Sequence, residues 1–315
     1  MKMSTQGTEP MRELSVLVPL DGSTFSECAV PVALGLAQGL KGRLKLVSVS
    51  TNGHAGSASR ISSISPEHVE PLNPELSDYL NRLGDMIETT SAVQVSRVVL
   101  EGTASKALVE FDTLSHPDLI VMSTHGRGAL SRAWIGSVAD RLTRHVTTPV
   151  VLVRPQEAVE CDVTKSSQVS RILVPLDGSE LAERSLEWAE RIMAATGASC
   201  TLVRVANESF PAWSSHLQLG SSVTLDYKQL SRTNSQEYLN GVKARLGKSG
   251  FDVDTVVQTE GPDALAILRC AKQRLVDLIV MASHGHGGLK RLVLGSVADK
   301  VVRAADAPVL LVRPE

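Results

Sequence analysis

The sequence has few aromatic residues, no excess of basic residues and no long apolar run. Aromatic residues make up 3% of the 315 residues, and the formal net charge is -2. Such a chain lacks the basic face and the stacking surfaces that bind nucleic acid, so we expect no nucleic-acid partner. No apolar run approaches the roughly 20 residues of a membrane span, and the N-terminus lacks an apolar signal segment. We therefore expect no membrane association and a cytoplasmic location.

Cysteine is scarce as well. Cys28, Cys161, Cys200 and Cys270 lie far apart and form no CxxC pair. In a chain of this size, that spacing predicts reduced, mostly buried thiols of a cytosolic protein. None has an activating neighbour in sequence, so we expect inert thiols rather than redox sensors.

Several enzyme motifs are also absent. The sequence contains no GxxxxGK[ST] loop, no GxGxxG after the first predicted strand and no GxSxG nucleophile elbow. P-loop NTPases, nicotinamide dehydrogenases and α/β-hydrolases are therefore disfavoured. Asp21 and Asp177 are the only candidate bases for phosphoryl transfer, so we do not expect an enzyme, although slow ATP hydrolysis stays open.

The sequence does contain an internal duplication. The 118–155 segment, DLIVMSTHGRGALSRAWIGSVADRLTRHVTTPVVLVRP, is repeated as DLIVMASHGHGGLKRLVLGSVADKVVRAADAPVLLVRP at 277–314, with about 22 of about 38 positions identical. Upstream, VLVPLDGS at 16–23 is echoed by ILVPLDGS at 172–179. Each half therefore begins and ends with the same two motifs, and we expect each to carry its own site.

Short β-branched runs alternate with helical periods in each half. Near-continuous apolar runs predict parallel strands that are covered on both faces, and the βαβα order predicts an α/β fold. The predicted strands of the first half are Leu14–Pro19, Leu44–Ser50, Gln94–Leu100, Leu119–Met122 and Val150–Val153. Those of the second half are Arg171–Pro175, Cys200–Val205, Val253–Thr259, Leu278–Met281 and Val309–Val312. The predicted helices of the first half are Thr24–Gly39, Pro74–Thr90, Ala104–Leu114 and Val138–Val146.

Composition divides the chain into two domains, residues 1–156 and 170–315, joined by a polar linker at 157–169. Two polar insertions follow the second strand of each half, at Thr51–Pro71 and Asn207–Ser222, and we expect both to be mobile. Ser23 and Ser179 stand where helix N-caps belong. Ser137 and Ser296, each with an Asp three residues later, predict near capping boxes.

The first motif places Asp21 and Asp177 directly after a buried strand. Ligands of open parallel sheets bind outside the carboxyl ends of the strands, where such an Asp can hydrogen-bond a hydroxyl or help hold a phosphate-bound cation. The alternative is that Asp-Gly-Ser forms only a turn followed by a helix cap.

The second motif follows the fourth strand of each half. In each half a small residue is followed three positions later by a glycine. Nine further residues then lead to Gly-Ser at a predicted helix start. Such glycines let backbone N–H groups curve around an anion, while the helix N-terminus and the Ser hydroxyl attract phosphate. A glycine-hinged loop with a capping Ser is the structural alternative.

Together these motifs resemble the universal stress protein family, whose nucleotide-binding motif is Gly-x2-Gly-x9-Gly-(Ser/Thr). The resemblance covers nearly the whole chain outside the linker and the insertions. Both copies depart at the first glycine, which is Ser123 in one half and Ala282 in the other. The β-carbon of either residue keeps a ligand farther from the backbone than glycine would, so we expect weaker nucleotide binding.

The resemblance implies two doubly wound domains, each with five parallel strands in the order 3-2-1-4-5 and helices on both faces. It implies ATP, with Mg²⁺ or Mn²⁺, between the first and fourth strands. The implied contacts in the first half are Pro19, Leu20, Asp21, Val49, Met122, Ser123, Gly126, Gly136, Ser137 and Val138. Those in the second half are Pro175, Leu176, Asp177, Val205, Met281, Ala282, Gly285, Gly295, Ser296 and Val297. The last strands, Val150–Val153 and Val309–Val312, are expected to pair within the chain as a pseudo-dimer, with a homodimer also open.

Other polar and aromatic residues give weaker indications. His125, His284 and His286 lack a third ligand at metal-site spacing, so we expect structural or phosphate-neighbouring roles and no metal site. The tryptophans are expected to pack in the core or at interfaces. The basic loop residues either pair with a triphosphate or form a solvated face. The tryptophans are Trp134, Trp188 and Trp213. The basic loop residues are Arg127, Arg132, Lys290 and Arg291.

The function expected from the sequence is a tandem, nucleotide-dependent stress sensor that binds ATP and shifts its affinity for a protein partner. The alternatives are an interaction module of the same fold without nucleotide, and a slow ATPase.

Overall fold

The computed structural model describes residues 13–51, 61–63, 73–126, 135–155, 161–206, 221–283 and 294–313. The elements of the first half are β1 (Ser15–Pro19), α1 (Thr24–Glu27), α2 (Ala29–Gly39), β2 (Arg43–Ser50), β3 (Ile61–Ser63), α3 (Pro74–Thr90), β4 (Val95–Glu101), α4 (Ala104–Ser115), β5 (Leu119–Ser123), α5 (Ser137–His145) and β6 (Val150–Val153). Those of the second half are β7 (Arg171–Pro175), α6 (Glu180–Glu183), α7 (Ser185–Thr196), β8 (Ser199–Val205), α8 (Ser221–Gly247), β9 (Val253–Gln258), α9 (Asp263–Gln273), β10 (Leu278–Ala282), α10 (Ser296–Ala304) and β11 (Val309–Val312).

The strands of both halves belong to one continuous sheet. The strand order is β3-β4-β2-β1-β5-β6-β11-β10-β7-β8-β9. Within each half, five parallel strands have the predicted order, β4-β2-β1-β5-β6 and β9-β8-β7-β10-β11. The predicted α/β fold class is therefore confirmed.

Helices cover both faces of this sheet. Buried residues of α2, α3, α7 and α8 form one apolar cluster, and those of α4, α5, α9 and α10 form the other. The central strands are buried along their full length, as their unbroken apolar runs predict. No described helix has the length and apolarity that a membrane span requires.

The two halves join through their last strands, and the predicted pairing is confirmed. β6 and β11 are antiparallel, with Val151 opposite Leu310. Arg313 lies just beyond β11, and its Nη1 donates to the carbonyl oxygens of Arg144 at 2.6 Å and Val146 at 3.0 Å. Because both carbonyls belong to the first half, this guanidinium links the two halves by hydrogen bonds.

Three local predictions differ from the structure. The helix predicted over Thr24–Gly39 is interrupted at Cys28, which is the C-cap of α1 and the N-cap of α2. The first insertion, predicted as mobile, contains the strand β3, which pairs antiparallel with β4. Likewise α8 already begins at Ser221, within the second predicted insertion. The remainder of both insertions lies outside the described residues.

The prediction of four reduced, inert thiols is also wrong. Cys28 and Cys161 form a disulfide, with 5.0 Å between their Cα atoms and a sequence separation of 133. Sequence spacing did not indicate this bond, because the chain after the first half folds back over α2. Cys200 and Cys270 are free and buried, as predicted. Burial raises the pKa of the Cys200 thiol to about 12 and also raises that of Cys270, so both stay protonated.

Candidate functional site

A cavity of about 630 Å³ opens at the carboxyl ends of β1, β2 and β5. This is where the strand order reverses and where open α/β sheets bind ligands. All ten residues predicted for the first half line it, from four separate segments of the chain. These residues are Pro19, Leu20, Asp21, Val49, Met122, Ser123, Gly126, Gly136, Ser137 and Val138. Their proximity is a structural result, whereas their nucleotide contacts stay predictions.

Twelve further residues line the same cavity. These are Ser26, Val47, Ser50, Thr51, Asn73, Glu75, Leu76, Ala104, Leu108, Thr124, His125 and Ala139. The sequence motifs did not indicate most of them, because five belong to the starts of α3 and α4 and three to β2 and the residue that follows it, outside both motifs. Asn73, the N-cap of α3, accepts from the Leu76 N–H and donates to Ser50 Oγ at 3.2 Å. The only feature of the sequence that pointed to this region was Pro74 at the predicted start of α3.

Asp21 closes the turn before α1 and also lines the cavity. Its Oδ1 accepts hydrogen bonds from the Ser23 N–H at 3.0 Å and the Ser23 hydroxyl at 2.5 Å, which closes the turn before α1. Its Oδ2 lies against Gly126 across the cleft. A side chain that both closes a turn and lines a cavity presents a carboxylate in a fixed position.

The loop after β5 is held by its own polar groups. The His125 N–H donates to Ser123 Oγ at 3.2 Å, and Nδ1 of His125 lies 2.8 Å from the Thr124 hydroxyl. The Gly136 N–H donates to the Thr124 carbonyl at 2.8 Å, which closes the loop. Nε2 of His125 is buried and has no hydrogen-bond partner among the described groups. A buried polar atom without a partner on a cavity wall is suited to a polar ligand.

The helix α5 begins at the cavity without a side-chain cap. Its N-cap is Gly136, not Ser137, and no side chain bonds to the first-turn N–H groups within the described chain. The predicted capping box is therefore wrong, since Asp140 instead pairs with Arg144 at 2.8 Å. The same holds in α10, where Gly295 is the N-cap and Asp299 pairs with Arg303. Uncapped N–H groups at a helix start leave donors and a positive dipole end for an anion.

A hydrogen-bonded pair of a tyrosine and a glutamate lies near Asp21. Tyr79 donates to Glu27 Oε1 at 3.0 Å. Burial, followed by the charge of Glu27, raises the pKa of Tyr79 far above its usual range, so the phenol stays protonated. The pair ties α3 to α1 on one side of the cleft. The second half repeats it, because Tyr238 donates to Glu183 at 2.9 Å.

The second half places its predicted residues at matching positions. Pro175 ends β7, Val205 ends β8, and Met281 and Ala282 end β10. Leu176 follows β7 and donates through its N–H to the Val203 carbonyl. The Gly295 N–H donates to the Ser283 carbonyl at 2.9 Å, as Gly136 does to Thr124, and Ser296 and Val297 open α10.

The two halves nevertheless differ in charge beside the aspartate turn. Asp177 closes its turn through Ser179 as Asp21 does through Ser23, but it is exposed. Arg204 occupies the strand position of Ser48, and its guanidinium lies 4.7 Å from the Tyr238 ring and close to Gly178. The second half therefore carries a cation beside its aspartate turn where the first half carries a hydroxyl.

Several predicted residues lie outside the described part of the chain. These are Gly285, His284, His286, Arg127, Arg132, Lys290, Arg291, Trp134 and Trp213. Trp188 packs in the core as predicted, with the Arg191 guanidinium over its ring. Within the described ranges, no group of three metal-binding side chains occurs.

Comparison with known proteins assigns both halves to one family. The profile of the universal stress protein family matches residues 14–154 and 168–313. A universal stress protein of Mycobacterium tuberculosis is 32% identical over 199 residues. That match spans 62% of this chain and only 62% of the relative.

Two further relatives match over nearly the whole chain. A universal stress protein of Synechocystis is 24% identical over 324 residues, which cover 95% of this chain and 99% of the relative. The crystal structure of a universal stress protein from Archaeoglobus fulgidus superposes with a TM-score of 0.68 at 18% identity, over 96% of this chain. At that identity the structural likeness bears on the fold alone.

Proposed function

This chain belongs to the universal stress protein family, and on that premise we propose that it binds ATP in its clefts as a nucleotide-dependent stress regulator. The observation that carries the proposal is the first cavity. It joins an apolar pocket, a fixed carboxylate and an uncapped helix start at the place where the predicted residues meet.

The cavity has a suitable size and lining for a mononucleotide. Its volume of about 630 Å³ falls within the usual range of small-molecule sites. Val47, Val49, Leu108 and Met122 supply apolar walls suited to adenine. The fit is further supported by Gly136, where a β-carbon would lie 3.1 Å from the Thr124 carbonyl. Backbone thus forms one wall of the cavity, as a phosphate cradle requires.

Each group of residues has a distinct role in this proposal. Asp21 accepts hydrogen bonds from ribose hydroxyls, and the start of α5 at Gly136 and Ser137 donates to phosphate oxygens. His125 Nε2, which has no hydrogen-bond partner among the described residues, hydrogen-bonds the ligand. Asp21 and Glu75 are both acidic, so we propose that the phosphates enter with Mg²⁺ or Mn²⁺, which offsets the repulsion between like charges.

We propose binding without rapid turnover. Hydrolysis needs a positioned base beside the attacking water, and the only aspartate in the described cavity lining uses one oxygen to close a turn. Binding then acts through linkage: nucleotide stabilises the folded pair and shifts the affinity for a protein partner. We propose that the protein does this in the cytoplasm, and association of two chains into a homodimer stays a prediction.

The test is a thermal-shift titration of the full chain with Mg-ATP, together with analysis of nucleotide released on denaturation. At 100 times Kd, ligand binding adds about 2.7 kcal/mol of stability. That raises the melting temperature by several degrees, since each kcal/mol gives about 2–4 °C in domains of this size. Gly136→Val, which fills the cradle, should abolish the first-cleft contribution.

The control is Gly241→Val in α8, where an added β-carbon would meet no atom within 4 Å. This variant should keep the full shift. An absent shift in the wild-type chain would favour an interaction module without nucleotide, and phosphate release over hours would indicate a slow ATPase.

A further inference from the structure

The disulfide between Cys28 and Cys161 joins the interdomain linker to the wall of the first cleft. Cys161 is partly exposed and begins the described part of the linker, whereas Cys28 is 7% exposed between α1 and α2. Ser26, which lines the cavity, stands two residues before Cys28. Cys161 is therefore the more exposed of the two residues, and Cys28 lies beside the candidate nucleotide site.

The linker follows the surface of α2 beyond this bond. The Ser167 N–H donates to the Pro31 carbonyl at 2.8 Å, and a β-carbon on Gly35 would overlap the Ser167 carbonyl. Val163 and Val169 are buried in the cluster that α2 also enters. The contacts near residues 167–169 are thus noncovalent and local, while the N-terminal end of this stretch is fixed by the disulfide.

Cys28 is connected to the cavity through α1. The Asp21 N–H donates to Ser26 Oγ at 3.3 Å, and Ser26 Oγ donates to the Ser23 carbonyl at 2.8 Å. Ser23 in turn holds the Asp21 carboxylate. A change in the position of Cys28 is therefore transmitted over one short helix to the residue proposed to hold ribose.

We propose that Cys28–Cys161 is a thiol–disulfide exchange site whose reduction by a cellular dithiol releases the linker and weakens nucleotide binding in the first cleft. The exchange itself stands on the linker geometry, and its coupling to the cleft rests on the proposed function. In the cytoplasm, disulfides are typically transient or redox-sensing, which fits this use.

The exchange has a defined direction of attack. A thiolate of the dithiol attacks the sulfur of the partly exposed Cys161, the Cys28–Cys161 bond breaks, and the buried Cys28 leaves with the electron pair. The second thiolate of the dithiol then displaces Cys161. The protein gains two electrons and, on protonation, two protons, while the dithiol becomes a disulfide.

The second half lacks this device. Arg184 stands at the position of Cys28, between α6 and α7. The same dithiol should therefore change the first cleft and leave the second unaffected. The two clefts would then respond to different signals, nucleotide alone in one and nucleotide with redox state in the other.

The experiment uses the oxidised full chain with and without dithiothreitol. The first readout is tryptic cleavage after Lys165, whose side chain is exposed in the linker. Proteases cut segments that open locally, so reduction should accelerate this cleavage about tenfold. Cleavage after Lys248, in the second half, serves as the internal reference and should not change. The second readout is the Kd of Mg-ATP by calorimetry in a Gly295→Val background, which closes the second cleft.

Reduction should raise that Kd about fivefold, at the lower end of typical allosteric coupling. Cys161→Ser should behave like the reduced protein whether or not dithiothreitol is present, and Cys270→Ala should respond like the wild-type chain. Equal cleavage after Lys165 in both redox states would overturn the exchange site. Faster cleavage with an unchanged Kd would overturn the coupling. If neither form binds Mg-ATP, the proposed function fails, while the cleavage result still decides the exchange site.

Discussion

Gly126 lies directly against the carboxylate of Asp21, so closely that a β-carbon at position 126 would overlap Oδ2. The two residues come from different motifs, one after β1 and one after β5, and they meet across the mouth of the cavity. Glycine is needed at position 126 because the opposite wall is a charged side chain held in a turn.

Gly126→Ala should therefore impair the first cleft. The added methyl displaces Asp21 or the loop, and we expect nucleotide affinity to fall at least about tenfold, or roughly 1.4 kcal/mol. Calorimetric titration with Mg-ATP measures this. The matched control is Gly241→Ala, where the added methyl meets nothing within 4 Å and should stabilise α8 by about 1 kcal/mol. Unchanged affinity in Gly126→Ala would show that Asp21 does not form the ligand wall.

Ser123, which stands where the family has glycine, anchors the loop after β5. Removing its hydroxyl in Ser123→Ala takes away the acceptor of the His125 N–H, a bond worth about 0.5–1.5 kcal/mol. We expect nucleotide affinity to fall about two- to tenfold. Ser96→Ala, which loses a comparable hydroxyl bond to Leu44 away from the cavity, should leave affinity unchanged. Equal affinity in both variants would contradict a role for Ser123 in the site.

Arg313 should contribute strongly to the junction of the halves. Arg313→Met removes two charge-assisted hydrogen bonds to carbonyls of the first half, and we expect a loss of about 1.5–3 kcal/mol. Urea denaturation measures the loss, and separation into two transitions would show that the halves have uncoupled. The control is Arg274→Met, whose exposed pair with Asp254 is worth at most about 1 kcal/mol. Similar losses in both variants would argue against the special role of Arg313.

Asp112 gives a pH dependence of defined sign. Burial raises the pKa of its carboxyl, although the Thr148 hydroxyl bonds to it at 2.6 Å. Because its pKa is raised in the folded state, the contribution of this carboxyl to stability is fully present below its ordinary pKa of 3.8 and is lost as the pH rises through the folded-state pKa. Asp112→Asn keeps the acceptor for Thr148 and removes the buried charge. It should be more stable than the wild-type chain at pH 7, with a smaller difference near pH 3.5.

Asp254 provides the opposite case. The Thr255 N–H and the Arg274 guanidinium lower the pKa of its carboxyl, so its contribution is present at neutral pH and lost in acid. Asp254→Asn should therefore be less stable than the wild-type chain at pH 7 and approach it as the pH falls below 3.8. Urea midpoints across this range measure both variants, and the same sign in both would contradict the assignments.

Most of the fold could be predicted from local patterns. Strand runs such as Val150–Val153 and Arg171–Pro175 agree with the observed bounds, because a strand buried on both faces must be apolar throughout. Pro74–Thr90 was equally well marked, since Asn73 and Pro74 specify a helix start. The resemblance to the family, rather than the local pattern, indicated the ten residues that line the first cleft.

Other features were misjudged because their causes are not local. Ser137 was taken for an N-cap, but the chain enters α5 through Gly136, whose N–H bonds back to Thr124. The strand β3 pairs with the edge of β4 that no other described strand occupies. Its own segment is not strongly apolar, so no local pattern indicated it. Asn73 and Glu75 reach the cavity because α3 packs over β2 and β4, which no motif records.

The sequence by itself determined the duplicated α/β architecture, because hydrophobic periodicity and strand burial act between near neighbours, whereas the strand order came from the resemblance to the family. Only the tertiary structure decided the fit of Gly126 to Asp21, the fastening of the halves by Arg313 and the bond between Cys28 and Cys161. Those contacts join residues far apart along the chain, and their geometry depends on how whole helices and strands pack, which no short stretch of sequence specifies.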